Sequence, residues 1–255
     1  MQNSESMFKL FAELNRNELR TVAATALAVI PIGATEQHGP HLATGMDYFT
    51  VEAIAREAGT IAGTETDVVV TPALPFGSSH HHLVFGGTLS FSTETYRRML
   101  YELVESLVTD GFKRIFLLNG HGGNHELAQL AVRDIVLHHP VHAAAGSYWN
   151  MAWQDLVAAG VKAARLPGHA GEFETSLMMS LRPDLVAREL PFRQLPENPE
   201  ALVLPAPFRD ERNGFWESIN GHTDSPASAT PERGDRFREV IARSVARAWL
   251  DYVRS

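Results

Sequence analysis

An apolar run from Ala26 to Ile32 ends in the loop Gly33-Ala34-Thr35-Glu36-Gln37-His38-Gly39-Pro40-His41, which reaches Asp47 before a helical pattern takes over near Tyr48. This stretch constrains the chain most. The run reads as a buried strand, and loops leaving the ends of such strands are where open α/β sheets bind ligands. The loop places a carboxylate, two imidazoles and a second carboxylate within a few residues. Packed so closely, these groups repel or desolvate one another unless a divalent cation shares their lone pairs, with N and O ligands at about 2.0–2.2 Å for zinc. A polar surface turn is the competing reading of this stretch alone. Two later stretches weigh against it.

Composition narrows the possibilities. The chain has 22 basic and 30 acidic residues, a formal charge of −8, and no Lys/Arg cluster. Nucleic-acid binding needs a basic face, so no such partner is expected. No apolar run approaches the roughly 18 residues of a membrane span, and Met1 to Ser6 lacks the basic and apolar regions of a secretory leader. The expectation is therefore no membrane and a cytoplasmic location. With no cysteine, disulfides, thiolate nucleophiles and Cys-ligated zinc are excluded. Any metal must be held by His, Asp, Glu and water, a set that suits Zn, Mn, Fe(II) or Ni. A length of 255 residues suits one large α/β domain or two small ones. The reading taken is a single domain, 1–255.

Periodicity predicts an amphipathic helix over 6–21, a strand over 26–32, and a helix over 48–58 stopped by Gly59. A short strand follows within Asp67–Leu74. Helix 94–110 has apolar positions at i, i+3 and i+4 over three turns. Strand 114–118 runs into Asn119-Gly120-His121-Gly122-Gly123-Asn124, with Asn124 as N-cap of helix 125–138. Strand 141–147, helix 151–159 and helix 172–181 come next, the last opened by His169-Ala170-Gly171-Glu172-Phe173-Glu174-Thr175-Ser176. Residues 190–230 hold six prolines and form an irregular excursion, of the kind that covers a site or a subunit interface. Helix 231–253 closes the chain. Alternating strands and helices predict an α/β protein, a three-layer α/β/α fold with a mainly parallel central sheet.

Such a sheet brings three polar loops to one edge: Glu36, His38 and Asp47; His121; and His169, Glu172 and Glu174. The pooled inventory suits two metals bridged by one carboxylate. Glu172 and Glu174 are i and i+2 on a helix, so only one can ligate while the other lies behind. Gly122 and Gly123 let backbone N–H groups approach a ligand. Trp149 and Trp153 either wall the pocket or fill the core. His41, His80, His81 and His125 read as supporting or surface positions rather than ligands. There is no Lys to complete a Walker loop, no His-Glu-x-x-His and no Gly-x-Ser-x-Gly, so those readings fall away.

Together the three stretches resemble the creatininase (creatinine amidohydrolase) family over about residues 26–185, in order. The resemblance implies a creatininase-like fold, usually a homohexamer, and a hydrolase of C–N bonds (amide, lactam or formamide) in a small polar molecule. It implies two divalent metal ions per chain, Zn, Mn or Fe. Glu36 and His121 would bind one, His38 and Glu174 the other, with Asp47 bridging and His169 as proton shuttle. The family's His-x-x-Phe-Pro-Gly-Thr stretch is similar to His82-Leu83-Val84-Phe85-Gly86-Gly87-Thr88, which places His82 near the pocket. Creatininases proper carry an acidic residue in the Asn-Gly-His loop, where this chain has Gly122 and Gly123, so the substrate expected is not creatinine. Similar members include peptide-trimming maturases and ring-opening hydrolases of oxidised sugars or cyclitols. A metal-loaded binding or assembly protein is the non-enzyme alternative, against which His169 stands, since a binding module needs no shuttle. A lyase or isomerase stabilising an enediolate is a third reading.

Overall fold

The computed structural model describes residues 7–162, 166–193 and 211–255. Strand β2 (Leu27–Ile32) is buried at every position and pairs in parallel with β3 (Val68–Val70) on one side and β4 (Arg114–Asn119) on the other. With β1 (Phe8–Leu10) beyond β3 and β5 (His142–Ser147) beyond β4, the order is β1-β3-β2-β4-β5, parallel throughout. Side chains alternate between the two faces. Leu27, Val29, Phe116 and Leu118 enter one core, and Ala28, Ile30, Ile115 and Leu117 the other.

Right-handed crossovers dictate which helix covers which face. The step from β2 to β3 runs one way along the sheet, so its helix α2 (Met46–Ala62) covers the first face. The steps from β3 to β4 and from β4 to β5 run the other way. Their helices α3 (Thr93–Asp110) and α4 (His125–His138) cover the second. Helices α7 (Glu172–Leu181) and α9 (Pro231–Arg254) join α2, through Phe173, Leu177, Phe237, Ile241 and Trp249. The loops after β2 and β4 therefore leave adjacent strands toward opposite layers. Between them opens the crevice of a topological switch point.

Three local expectations change. Residues 6–21 are not one helix: Phe8–Leu10 forms an edge strand, a 3-10 turn follows at Phe11–Glu13, and α1 (Arg16–Val22) starts only at the Asn15/Glu18 capping box. Gly59 does not end α2, which runs on to Ala62. A Cβ at Gly59 would come 2.6 Å from the Phe8 ring, so this glycine is the notch into which the N-terminal strand docks. The helix expected over 151–159 is two short ones, α5 (Tyr148–Met151) and α6 (Trp153–Ala158). Of the excursion, 194–210 lie outside the described residues. The remainder is irregular apart from α8 (Phe215–Ser218) and a 3-10 turn at Pro226–Ser228. No helix among the described residues is long and apolar enough to cross a membrane.

Candidate active site

The switch-point crevice is lined from both sides. The β2–α2 loop carries Glu36 and His38, the first turn of α2 Asp47, the β4–α4 loop His121, and the first turn of α7 Glu174. All are buried. Asp47 stands between two groups: its Oδ1 lies 3.3 Å from His38 Nε2 and its Oδ2 3.0 Å from His121 Nδ1. Glu36 Oε1 is 3.3 Å from that same His121 nitrogen, and Glu174 Oε2 is 3.7 Å from that same His38 nitrogen. Each ring turns its other nitrogen to a carbonyl: His38 Nδ1 donates to Glu36 O at 3.1 Å and His121 Nε2 to Ser78 O at 3.1 Å. The inward nitrogens, once stripped of their protons, would offer lone pairs as metal-ligating histidines do. Glu36 Oε2, Asp47 Oδ2 and His38 Nε2 are buried without a hydrogen-bond partner. A buried orphan of this kind costs about 1–3 kcal/mol, and divalent cations bound in the crevice would satisfy all three. The donor set of imidazole nitrogen and carboxylate oxygen fits Zn, Mn or Fe(II).

The charge balance agrees with that fit. Burial works against a His38 cation, but Asp47, Glu174 and Glu36 outweigh it and hold the pKa at about 10. Burial likewise opposes charge on His121, which Glu36 and Asp47 lift well above the ordinary imidazole range. Burial raises Glu36, yet His121, His82 and His169 draw it well below the ordinary carboxylate range. Glu174 goes the other way. Burial, only partly offset by His38 and reinforced by the Asp47 and Glu36 charges, pushes it up to about 8. Protons thus occupy the places between the carboxylates, and metal loading would expel them.

His169 precedes α7 on a turn where Ala170 sits at φ 52, a left-handed conformation that non-glycine residues rarely adopt. The turn aims the Ala170 N–H at Glu174 Oε2, 2.5 Å away. His169 Nε2 donates to Gln37 O at 2.8 Å, which leaves the Nδ1 lone pair facing the site, 3.6 Å from Glu36 Oε1. Burial, with His38 and His82 alongside, pushes its pKa well below the ordinary value, so the ring rests neutral.

Gln37 ties this half of the site together. Its Nε2 donates to His82 Nδ1 and to Gly221 O, each at 2.9 Å, and its Oε1 accepts from Gly39 N at 2.9 Å. His82 consequently carries its proton on Nε2, 3.6 Å from Glu36 Oε1. Exchanging Gln37 for Leu frees that tautomer and unfastens Gly221. Metal content should stay at the wild-type level while turnover falls about 10- to 100-fold. Metal analysis alongside kinetics on a substrate that the wild type turns over would show it, and equal turnover would end the assignment.

Above these groups opens a cavity of about 480 Å³. Trp216 of α8 roofs it, its ring 4.5 Å from His82 and 5.3 Å from His169 between centroids. Thr223 braces His169: its N–H donates to the His169 carbonyl at 2.9 Å and its Oγ1 accepts from His169 N at 2.8 Å. Gly122 and Gly123 both line the cavity but differ in kind. A Cβ at Gly123 would collide with the Ser78 carbonyl oxygen and lie 2.6 Å from His121 Nε2, whereas one at Gly122 meets nothing within 4 Å. His82 also lines the cavity. In its loop Gly86 has φ 75, which a proline ring locked near −65° does not allow.

Other residues singled out in the sequence lie elsewhere. Trp149 does not wall the cavity; it is buried in the core edge-on to Tyr148, with ring centroids 5.1 Å apart. Trp153 packs partly buried against the same core. Glu172 points away from the crevice, to Arg233 and the Lys162 N–H, so Glu174 is the one of the two that faces the imidazoles. Asn124 occupies the cap position without capping α4. Its Oδ1 accepts from Ser78 N and its Nδ2 donates to Gly33 O, both at 3.0 Å, which binds three loops together. His41 Nε2 meets Thr175 Oγ1 at 3.0 Å and His125 Nδ1 meets Ser147 Oγ at 2.7 Å, both as supports.

A sequence model described as "Creatininase: Creatinine amidohydrolase" matches residues 12–249. The mycofactocin precursor peptide peptidase of Mycobacterium ulcerans (strain Agy99) is 31% identical over 229 residues, covering 86% of this chain and 83% of that protein. The creatinine amidohydrolase of Pseudomonas putida is 27% identical over 263 residues, covering 96% of each. A solved mutant creatininase of Zn-Zn type is similar in fold, with a TM-score of 0.69 at 27% identity over 96% of this chain and 97% of that one.

Proposed function

The chain belongs to the creatininase family and is a hydrolase of C–N bonds, and on that premise we propose that its site holds two divalent cations. Glu36 and His121 would hold one and His38 and Glu174 the other, with Asp47 shared between them. The divided carboxylate of Asp47 carries this reading, with one oxygen turned to each imidazole. Bound there, such a pair supplies Lewis acidity that acidifies water and polarises a substrate carbonyl.

The chain's own residues do the rest. His169 accepts a proton from water at Nδ1 and returns it to the leaving nitrogen, while Gln37 O holds its Nε2–H in place. Glu36, 3.6 Å away, faces the transient imidazolium. Trp216 and Phe215 limit water above the cavity. The favoured substrate is a lactam, formamide or similar small polar amide. Creatinine is not favoured, because Gly122 and Gly123 add no carboxylate to the His121 loop.

A peptide amide is the second reading, supported by the likeness to the M. ulcerans peptidase and by the open space at Gly122, which leaves room for an extended chain. A panel of lactams, formamides and short peptides separates the two.

The metal assignment is tested first, by metal content per chain in untagged wild type and in Asp47→Ala. The expected result is about two ions per chain, falling sharply in the variant. One ion or none in the wild type, unchanged by the substitution, would remove the dinuclear reading.

A further inference from the structure

Glu36 meets more imidazoles than a two-cation centre accounts for. His121, His82 and His169 each place a ring nitrogen within 3.6 Å of Glu36 Oε1. His82 and His169 are committed to Gln37. A fourth ring, His81, lies in the 3-10 turn His80–Phe85, half-buried and lining the same cavity.

Its neighbours are the rings of the cluster and of the cavity roof. The His81 ring lies parallel to that of His121, with planes within 2° and centroids 6.0 Å apart. His82 at 4.2 Å and Trp216 at 5.3 Å wall it in. Glu36, His81 and His121 each offer a ligand atom, and these atoms lie within 4.8 Å of one another. Ligand atoms around tetrahedral zinc sit about 3.4 Å apart for metal–ligand bonds of about 2.0–2.1 Å. A shift of the His81 ring on the order of 1 Å into the cavity closes the difference.

We propose that His81 is a further ligand of the cation held by Glu36 and His121. The assignment rests on the two-cation reading and adds to it an inequality. One position gains a second imidazole, and the other keeps His38 alone. Nitrogen-rich sites favour zinc, whereas carboxylate-rich ones suit manganese, so the two positions differ in what they retain.

The test is a zinc titration of metal-free protein against a chromophoric chelator, for wild type, His81→Ala, His81→Gln and His80→Ala. His80 is the exposed neighbour, bonded to Ser90, and serves as the control. In both His81 variants one of two affinities should fall on the order of 10- to 100-fold, with the other unchanged. His80→Ala should match the wild type. Two unaltered affinities in folded His81→Gln, as judged by circular dichroism, would overturn the proposal. Wild-type protein that takes up fewer than two ions would remove the two-cation reading, and this assignment with it.

Discussion

Exchanging His169 for alanine should lower turnover about 10²- to 10⁴-fold, the size expected when a positioned proton-transfer group is removed. Metal content should stay at the wild-type level. The aim of the ring, more than its identity, sets the size of the effect. His169 stands on the strained turn at Ala170, its Nε2 proton is committed to Gln37 O, and its backbone is clamped on both sides by Thr223. Only Nδ1 is left for chemistry, and it faces the crevice beside Glu36. The substitution therefore removes the proposed proton carrier and leaves Asp47 and His121 in place, while His38 loses a ring neighbour 4.3 Å away between centroids. Kinetics on an amide the wild type cleaves, paired with metal analysis, separates this from collapse of the site. Turnover of wild-type size would take the shuttle role from His169.

The largest stability loss is expected at Trp249. Its side chain is fully buried near the C-terminal end of α9, edge-on to Phe116 of β4 with centroids 6.1 Å apart. Through it the helix seats on the sheet. Trp249→Ala opens a cavity in this core and should cost about 3–5 kcal/mol. Trp249→Phe should cost much less, because the indole N–H is buried without a partner and its loss removes an unsatisfied donor. Denaturant midpoints would be compared at one fixed metal concentration, since a cation bound only by the native state adds stability of its own. A loss for alanine below about 1 kcal/mol, the size of an average substitution, would mean that the site repacks.

The strands and long helices are legible from local pattern. β2 and β4 are apolar runs punctuated by glycine and polar residues, and α3 and α9 repeat their apolar positions over several turns. The N-terminal strand is not. It spans only Phe8–Leu10, and its partner Val68–Val70 lies far along the chain. Gly59 follows from the same blindness, because its role is set by Phe8. In the crevice, the carboxylates and imidazoles announce themselves by crowding into loops. Gln37 does not, although it sits between Glu36 and His38. Its meaning lies in His82 and His169, 45 and 132 residues away. Trp216 and Trp149 look alike in a sequence, yet one roofs the cavity and the other fills the core. Only burial tells them apart.

The floor and the roof of the cavity stand on different foundations. The floor is made by loops at the ends of β2 and β4 and by the first turns of α2 and α7, so a change there damages fold and chemistry together. The roof is a four-residue helix with its flanking turns, fastened by the Trp216 ring, the Gly221–Gln37 bond and the Thr223 clamp. Just ahead of those fastenings, Arg212 and Phe215 line the cavity without bearing on the sheet. The fold is therefore expected to tolerate substitutions in the roof better than in the floor. Altering a handful of roof positions would change which molecule fits the cavity while the buried carboxylates and imidazoles beneath keep their places.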